Sequence, residues 1–309
     1  MIKKKMSSEK VGEEFSKKWW GKKTLPNLYE DLINKLSDRS YITKSSAKRV
    51  NRAFVVCEYI LQNIKPGSRV LDMACGLGFV SHCLIKKGYR AEGFDVSESG
   101  IEKARDAATR LKQNPEMFTV SDQRYLYNLP ERSFDVVLAL GYFRYLEQSE
   151  QGDIYKHVLR ILKKGGIFIV DHQNILFEMF ALNEDSLRFW ADFIDDNSGV
   201  RTLFDKQNIF EALSKKIKFP KRKYEDHSIS KTMLTDSQNP LTYASVAERY
   251  GFKVERILYP YMEIIPPILR DEIREEEIEA LEEKVCLEKI NDWRAMFMCY
   301  QFLAILKKE

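Results

Sequence analysis

The chain has 309 residues, of which 44% are hydrophobic and 31% charged, and its formal net charge is +4 at pH 7. This composition is typical of a globular protein, no apolar run reaches membrane-spanning length, and the small net charge does not by itself indicate nucleic-acid binding. The basic start, residues 1–5, is not followed by an apolar signal core, which favours a cytoplasmic protein. The five cysteines form no C-x-x-C pair, so neither a disulfide framework nor a zinc site is predicted.

The first residues predict helices. Apolar side chains recur at helical spacing over Leu25–Leu36 and again over Ser46–Ile64. Pro66 and Gly67 then end the second helix. We therefore predict a helical cap over residues 1–65.

The stretch Val70–Asp95 has the pattern of one βαβ unit. An apolar run leads into a turn with Gly76 and Gly78, then into a helix-like run, Phe79–Lys87, and a second apolar run that ends at Asp95. Glycines allow the turn to approach a ligand closely, because they have no Cβ atom. Asp95 lies 17 residues after Gly78, at a strand end where a carboxylate can accept both hydrogen bonds of a ribose diol. The unit predicts a nucleoside site.

Two residues argue against a dinucleotide. The third glycine of the dinucleotide fingerprint is replaced by Ser81. Asp72 ends the first strand, where it would repel a pyrophosphate but suits an amine and a sulfonium. In this pattern, D-x-x-C-G-x-G with an acidic end to the second strand, the sequence resembles the class I S-adenosylmethionine (SAM)-dependent methyltransferases. The resemblance implies an α/β, Rossmann-like seven-stranded sheet with flanking helices, SAM as cofactor, and no metal.

The resemblance also assigns cofactor residues. In the resembling family, the glycine loop and the acid before it bind the methionine part of SAM. The acid at the position of Asp95 binds the ribose, and residues after the second, third and fourth strands bind the adenine. Asp122 follows a predicted third strand, Met117–Val120, and is assigned to the adenine amino group. The remaining assigned residues are Asp72, Ala74, Cys75, Gly76 and Gly78 in the loop, and Val96, Gln123 and Leu140 around the adenine.

Two later apolar runs complete the predicted core, residues 66–173. Phe134–Leu140 is nearly continuous, as expected of a strand buried on both faces, and Ile167–Asp171 follows a Leu-Lys-Lys-Gly-Gly turn that matches the family's usual turn. Residues just after such strands lie at the carboxyl edge of the sheet, where cofactor and substrate meet. We predict that acceptor contacts come from there, with Arg144 suited to an anionic group: Tyr142, Arg144, Tyr145 and Asn174.

His172 stands at the same edge. An imidazole can accept the proton of a hydroxyl near neutral pH, so His172 is our candidate general base. A histidine that only forms hydrogen bonds within a loop is an equally open interpretation.

Residues 174–240 are predicted to form a substrate lid, because the segment interrupts the family core and is rich in aromatic residues. It ends in a basic run, residues 215–223, which could attract a phosphate-bearing acceptor such as a nucleotide sugar. A solvated surface also explains the basic run, and the aromatic residues could equally form a homodimer contact.

Residues 241–309 are predicted to return to the core. They contain a strand, Lys253–Tyr259, an acidic helical segment, Asp271–Glu288, and a last strand, Trp293–Leu306, where the family has its antiparallel seventh strand. The sequences Asp-His-Gln-Asn-x-Leu-Phe from Asp171 and Asn-Pro-Leu-Thr-Tyr from Asn239 also resemble methyltransferases encoded with bacterial surface-polysaccharide genes.

These observations favour O-methylation of a saccharide or nucleotide-linked sugar by in-line methyl transfer. The Asn/Asp-Pro-Pro-aromatic motif of adenine methyltransferases does not follow Leu140, which argues against a nucleic-acid base as acceptor. Two alternatives stay open: an RNA or protein methyltransferase, and a SAM-binding regulator without catalysis.

Overall fold

In the computed structural model, the residues described are 47–195, 209–216, 218, 237–270, 273–274, 277–278 and 292–309. The predicted helix at residues 25–36, most of the basic run and most of the acidic segment lie outside them. None of the helices in this part of the chain combines the length and the apolar character needed to cross a bilayer.

The described strands form one mixed sheet. Its order is β3-β2-β1-β4-β5-β8-β7, with the short β6 pairing with β5. Strands β1 to β6 pair in parallel, and β8 runs antiparallel to both β5 and β7. The predicted Rossmann-like α/β fold is therefore confirmed. The strands are β1 Arg69–Met73, β2 Arg90–Asp95, β3 Phe118–Val120, β4 Phe134–Ala139, β5 Leu162–Asn174, β6 Ser237–Gln238, β7 Phe252–Leu258 and β8 Gln301–Lys308.

Helices flank the sheet. Three short 3₁₀ helices, Pro115–Met117, Gln123–Asn128 and Phe143–Tyr145, adjoin the strands. The α-helices are α1 Ala47–Asn63, α2 Phe79–Lys86, α3 Glu98–Arg110, α4 Gln148–Ile161, α5 Phe177–Ala181, α6 Glu184–Asp195, α7 Ile209–Lys216, α8 Tyr243–Glu248, α9 Pro267–Arg270 and α10 Ala295–Met298.

The central strands are buried on both faces, which explains their nearly continuous apolar sequences. Alternate residues point to opposite faces, so Val136 joins the core on the α1 and α2 side, whereas Val137 joins the core on the α4 and α8 side. This alternation also separates neighbours in the middle of β5: Phe168 packs on the α4 side and Ile169 on the α1 side.

Two predicted boundaries need correction. The predicted strand Trp293–Leu306 is a short helix, α10, followed by β8. The backbone N–H of Ala295 donates to the carbonyl of Asp292, and Ala and Met favour this helical turn. Strand β5 continues past Asp171 to Asn174, because β8 pairs with it residue by residue, His172 opposite Phe302. His172 and Asn174 thus lie inside a strand rather than in an edge loop.

Candidate active site

The glycine loop between β1 and α2 has an unusual backbone. Ala74, Gly76 and Gly78 all adopt positive φ angles, of 55°, 55° and 69°. A Cβ atom on Gly78 would overlap the ring of Phe118, so only glycine fits there. The loop is therefore held in a backbone conformation that residues with side chains rarely adopt.

Contacts with β2 fix this loop. The N–H of Cys75 donates to the carbonyl of Phe94 at 3.1 Å. The Cys75 side chain packs against Gly93, where a Cβ atom would come within 2.9 Å of the Cys75 Cβ. Burial raises the pKa of the Cys75 thiol well above its usual value, so this cysteine is a neutral packing residue that shapes the loop.

Asp95 joins the loop to the end of β2. One carboxylate oxygen accepts from the N–H of Gly76 at 2.9 Å, and the other accepts from the N–H of Ser97 at 2.8 Å. Burial raises the pKa of Asp95, and the amide hydrogen bonds oppose that effect. Each oxygen retains a lone pair, so the fixed carboxylate can still accept from a diol.

Asp72 is a second, more deeply buried acid beside it. Its carboxylate accepts from the Ser81 hydroxyl at 2.9 Å. Burial raises the pKa of Asp72 to about 7, and the charge of Asp95 adds to the rise. Two acids held close together attract a positively charged ligand, although the charge of Arg52 partly offsets that of Asp72. Ser81 stands where the dinucleotide fingerprint has a glycine, and no spacing in the sequence indicates that it is the hydrogen-bond partner of Asp72.

A third acid follows β3. Burial alone would raise the pKa of Asp122, but hydrogen bonds and charge from Arg124 outweigh it and lower the pKa. The side-chain Nε of Arg124 donates to both carboxylate oxygens at 3.0 Å. Beside it, the hydroxyl of Tyr142 donates to Gln123 at 3.3 Å. Tyr142, predicted to contact the acceptor, therefore lies with the residues predicted for the adenine.

Val96 and Leu140 are half-buried at the ends of β2 and β4. Val96 directly follows the predicted ribose residue, Asp95, and Leu140 directly follows β4. Leu140 packs against the core on the α1 side.

His172 does not reach this edge. Its ring is buried among Phe143, Phe302 and Tyr243, and its Nε2 lies 2.7 Å from the Tyr243 hydroxyl. Tyr243 in turn forms a short hydrogen bond with Tyr155. Burial lowers the pKa of His172 to about 4. The structure thus places this candidate general base in the core as a neutral imidazole bonded to Tyr243, and its catalytic role stays a prediction.

Asn174 is also fully engaged. Its amide nitrogen donates to the carbonyls of Met296 and Cys299 at 2.6 and 2.8 Å, and its oxygen accepts from the N–H of Leu176 at 3.1 Å. This side chain connects β5 to α10 and α5, and a substrate contact would break those bonds. The predicted contact of Asn174 with the acceptor therefore stays a prediction.

Arg144 lies at the opposite end of the edge from Asp95. Its Nη2 donates to the Tyr300 hydroxyl at 2.6 Å, and its guanidinium lies over the rings of Tyr145 and Tyr300 at 5.2 and 5.4 Å. The Tyr300 hydroxyl also accepts from Gln173. Neither Gln173 nor Tyr300 was predicted; both adjoin strand ends, but no sequence spacing relates them to Arg144.

An ion pair ties helix α1 to the same edge. Nη1 of Arg52 donates to Asp171 at 2.6 Å, and the other oxygen of Asp171 accepts from the N–H of Gly141 at 2.6 Å. Both acidic and basic groups are largely buried. Arg52 and Asp171 therefore fix the loop after β4, on which Tyr142 and Arg144 stand.

The sheet order explains where these groups meet. The chain order reverses between β1 and β4, and ligands of open α/β sheets bind at the carboxyl ends of the strands at this point. The glycine loop and Asp72 follow β1, Asp95 follows β2, and Gly141 follows β4. A loop that permits close approach, a buried acid suited to a sulfonium or amine, and an acid suited to a diol together fit SAM.

Comparisons with known proteins agree with this fit. Residues 64–240, more than half of the chain, match the family model described as a methyltransferase domain. The chain therefore belongs to this methyltransferase family, and it is a SAM-dependent enzyme.

The names of individual relatives differ in the substrate they state. The chain is 25% identical over 186 residues to the putative methyltransferase YqeM of Bacillus subtilis. This alignment covers 55% of this chain and 74% of that protein. It is also 29% identical over 168 residues to a glycine/sarcosine N-methyltransferase of Aphanothece halophytica. That alignment covers 50% of this chain and 63% of the relative, which is less than two thirds of the relative's length.

Solved structures share the fold. The magnesium protoporphyrin IX methyltransferase of Synechocystis PCC 6803 with bound SAM aligns with a TM-score of 0.50 at 12% identity, over 98% of both chains. The [4+2]-cyclase SpnF aligns with a TM-score of 0.51 at 14% identity, over 98% of this chain and 97% of the other. At such identities the likeness concerns the fold alone.

Proposed function

We propose that this enzyme methylates a small polar acceptor, with a hydroxyl of a saccharide or nucleotide-linked sugar as the preferred target. The observation that carries the proposal is the polar end of the site, where Arg144 follows β4, Gln173 lies near the end of β5 and Tyr300 precedes β8, one to three strands beyond the strand that leads into the glycine loop. A polar acceptor has groups that can use these side chains, whereas an apolar one would leave them unpaired.

On the cofactor side, SAM supplies a methyl group that its sulfonium has already activated. Asp72 and the loop would hold the methionine part, Asp95 would accept from the ribose hydroxyls, and Asp122 with Gln123 would face the adenine. The fixed hydrogen bonds of Asp95 to the N–H groups of Gly76 and Ser97 support its role, because the carboxylate needs no reorganisation on binding.

On the acceptor side, positioning replaces a histidine base. Arg144 is held by Tyr300 and between two aromatic rings, so it can orient an acceptor group. Tyr145, next to it in the chain, would form part of the same wall. In-line attack by a well-oriented hydroxyl forms the O–C bond as the S–C bond of SAM breaks, and the hydroxyl proton is then released to solvent.

Calorimetric titration with SAM, S-adenosylhomocysteine and NAD tests the cofactor side first. We expect both adenosyl ligands to bind and NAD not to bind. Release of S-adenosylhomocysteine is then measured with neutral sugars, sugar phosphates and nucleotide-linked sugars, and turnover with one of these classes is expected.

The other outcomes are equally specific. Turnover on RNA, with binding that weakens steeply as salt rises, would replace the small-molecule acceptor by a nucleic acid. Turnover on a protein substrate would do the same for a protein acceptor. Tight SAM binding without turnover on any of them would favour a regulatory protein.

A further inference from the structure

The residues at the acceptor end of the site form a hydrogen-bonded cluster from three separate parts of the chain. Arg144 stands on the 3₁₀ helix after β4, Gln173 near the end of β5, and Tyr300 just before β8. The Tyr300 hydroxyl oxygen accepts from Arg144 Nη2 and from Gln173 Nε2. Both of its lone pairs are then used, so its own proton is left to donate.

Two buried polar atoms of this cluster lack a partner. Among the described residues, neither Arg144 Nε nor Gln173 Oε1 has a hydrogen-bond partner. Gln173 is 7% exposed, so water does not readily satisfy its oxygen. Buried polar groups in folded proteins are normally paired, and groups left unpaired at a ligand-binding edge are available for a ligand.

The charge of Arg144 is also uncompensated by direct contact. No carboxylate of the described residues lies within 4 Å of its guanidinium, whereas Arg52 on the neighbouring helix is paired with Asp171. The rings of Tyr145 and Tyr300 flank Arg144 and fix the plane of the guanidinium. Asp171 is close enough to act electrostatically on Arg144 but is paired directly with Arg52, so the held, half-buried guanidinium can still attract an anion.

The cluster also lies beside the methyl donor's loop. Strand β5, which carries Gln173, is hydrogen-bonded to β4, and β4 pairs with β1, which leads into the glycine loop. Arg144 is three residues from Gly141, whose N–H is held by Asp171. An acceptor anchored at this cluster would therefore lie at the same carboxyl edge as the cofactor.

We infer that Arg144, Gln173 and Tyr300 bind an acidic acceptor through a carboxylate or phosphate group that has a hydroxyl or amino group beside it. The inference rests on the proposed function and names the acceptor class of that site. Arg144 Nε–H and the Tyr300 hydroxyl donate to the anionic oxygens, and Gln173 Oε1 accepts from the neighbouring O–H or N–H. Gln173 and Tyr300 are thereby specificity-determining residues.

The test is calorimetric titration of the enzyme saturated with S-adenosylhomocysteine. The probes are lactate, a carboxylate with an adjacent hydroxyl; propionate, which lacks that hydroxyl; glycerol 3-phosphate; and neutral glycerol. We expect lactate or glycerol 3-phosphate to bind and glycerol not to bind. If lactate binds, propionate should bind about fivefold more weakly, because the contact to Gln173 is lost.

Variants identify the residues. Arg144→Gln should weaken binding of the anionic probe by about 10- to 100-fold. Arg90→Gln removes the same charge from an exposed position at the other end of β2, and should leave binding unchanged. Tyr300→Phe keeps the ring and removes only the hydroxyl, so it reports on the cluster even if Arg144→Gln fails to fold.

The outcomes separate the two proposals. Failure of the wild-type protein to bind S-adenosylhomocysteine would refute the proposed function itself. Intact S-adenosylhomocysteine binding with no binding of either anionic probe, or anion binding that Arg144→Gln and Tyr300→Phe leave unchanged, would overturn this inference alone. Preferential binding of glycerol 3-phosphate would identify the anion as a phosphate, and preferential binding of lactate would identify it as a carboxylate.

Discussion

The two ends of the active-site edge are built in different ways. At the cofactor end, acids are held by backbone amides of adjacent loops: Asp95 binds the N–H of Ser97 two residues away and that of Gly76 in the preceding loop. At the acceptor end, side chains from distant parts of the chain hold one another, as Arg144 and Tyr300 do across 156 positions. The first end depends on local backbone shape, and the second depends on how the sheet is assembled.

Removing Asp95 should break the cofactor end most severely. Asp95→Ala deletes a carboxylate that fixes the glycine loop and that we assign to the ribose. We expect S-adenosylhomocysteine binding to weaken at least about 100-fold, because several charge-assisted hydrogen bonds are lost together. Calorimetry measures the change, with the exposed Asp106→Ala on α3 as the matched control. Equal affinities of the two variants would remove Asp95 from the site.

Adding a methyl group to the glycine loop should give the next largest effect. Gly78→Ala introduces strain at a positive φ and a collision with Phe118, so we expect a loss of about 2–4 kcal/mol in the free energy of unfolding. Gly165 has a similar φ of 72° with nothing near its missing Cβ atom, and Gly165→Ala should lose only about 1 kcal/mol. Urea unfolding compares the two variants, and equal losses would show that the contact with Phe118 does not constrain the loop.

The raised pKa of Asp72 predicts a pH dependence of cofactor binding. With a pKa of about 7, the carboxyl is largely protonated at pH 6 and ionised at pH 8, so affinity for SAM should rise by about tenfold over that range. The free energy of unfolding changes in the opposite direction. The folded state binds the Asp72 proton more tightly than the unfolded state does, so the stability that this proton contributes is lost as the pH rises through 7.

Titrations of wild type and Asp72→Asn at both pH values isolate this effect. The ligand's own ionisation affects both proteins equally. The pH dependence should therefore be weaker in the variant by about the tenfold factor. An identical pH dependence in both proteins would mean that Asp72 is ionised throughout.

Replacement of His172 should have the smallest effect on chemistry. His172→Gln keeps a polar group near Tyr243 but removes the imidazole, and we expect S-adenosylhomocysteine affinity to stay within about twofold while stability falls by about 1–2 kcal/mol. The rate of methyl transfer on whichever acceptor is identified should be largely retained. A folded variant that binds the cofactor but has lost its turnover would restore His172 as the base.

Sequence reasoning succeeded where the chemistry is local. A short apolar run, glycines that need positive φ angles and an acid at a strand end are constraints within one βαβ unit, so the glycine loop, Asp72 and Asp95 could be found from spacing. The C-terminal strand was located less well, because a helical turn at α10 depends on a backbone hydrogen bond to Asp292 that no periodicity records.

At the acceptor end, the sequence does not show which way neighbouring side chains point. His172 and Asn174 are separated by a single residue, Gln173, and all three follow the same apolar run. The pleat of β5 turns His172 into the core and Gln173 toward Tyr300, and pairing with β8 extends the strand through them. A sequence cannot show which partner strand fixes that pleat.

The sequence by itself determined the fold class, and it placed a glycine loop and two acids in one βαβ unit, because each is set by residues close together in the chain. Only the tertiary structure decided that Ser81 supports Asp72, that Tyr142 lies beside Gln123, and that Arg144 meets Gln173 and Tyr300. The contacts of Arg144 arise when β4, β5 and β8 become neighbours in the sheet, whereas Ser81 meets Asp72 within one βα unit. The energy of the sheet's assembly comes from a core shared by the whole chain rather than from any local pattern.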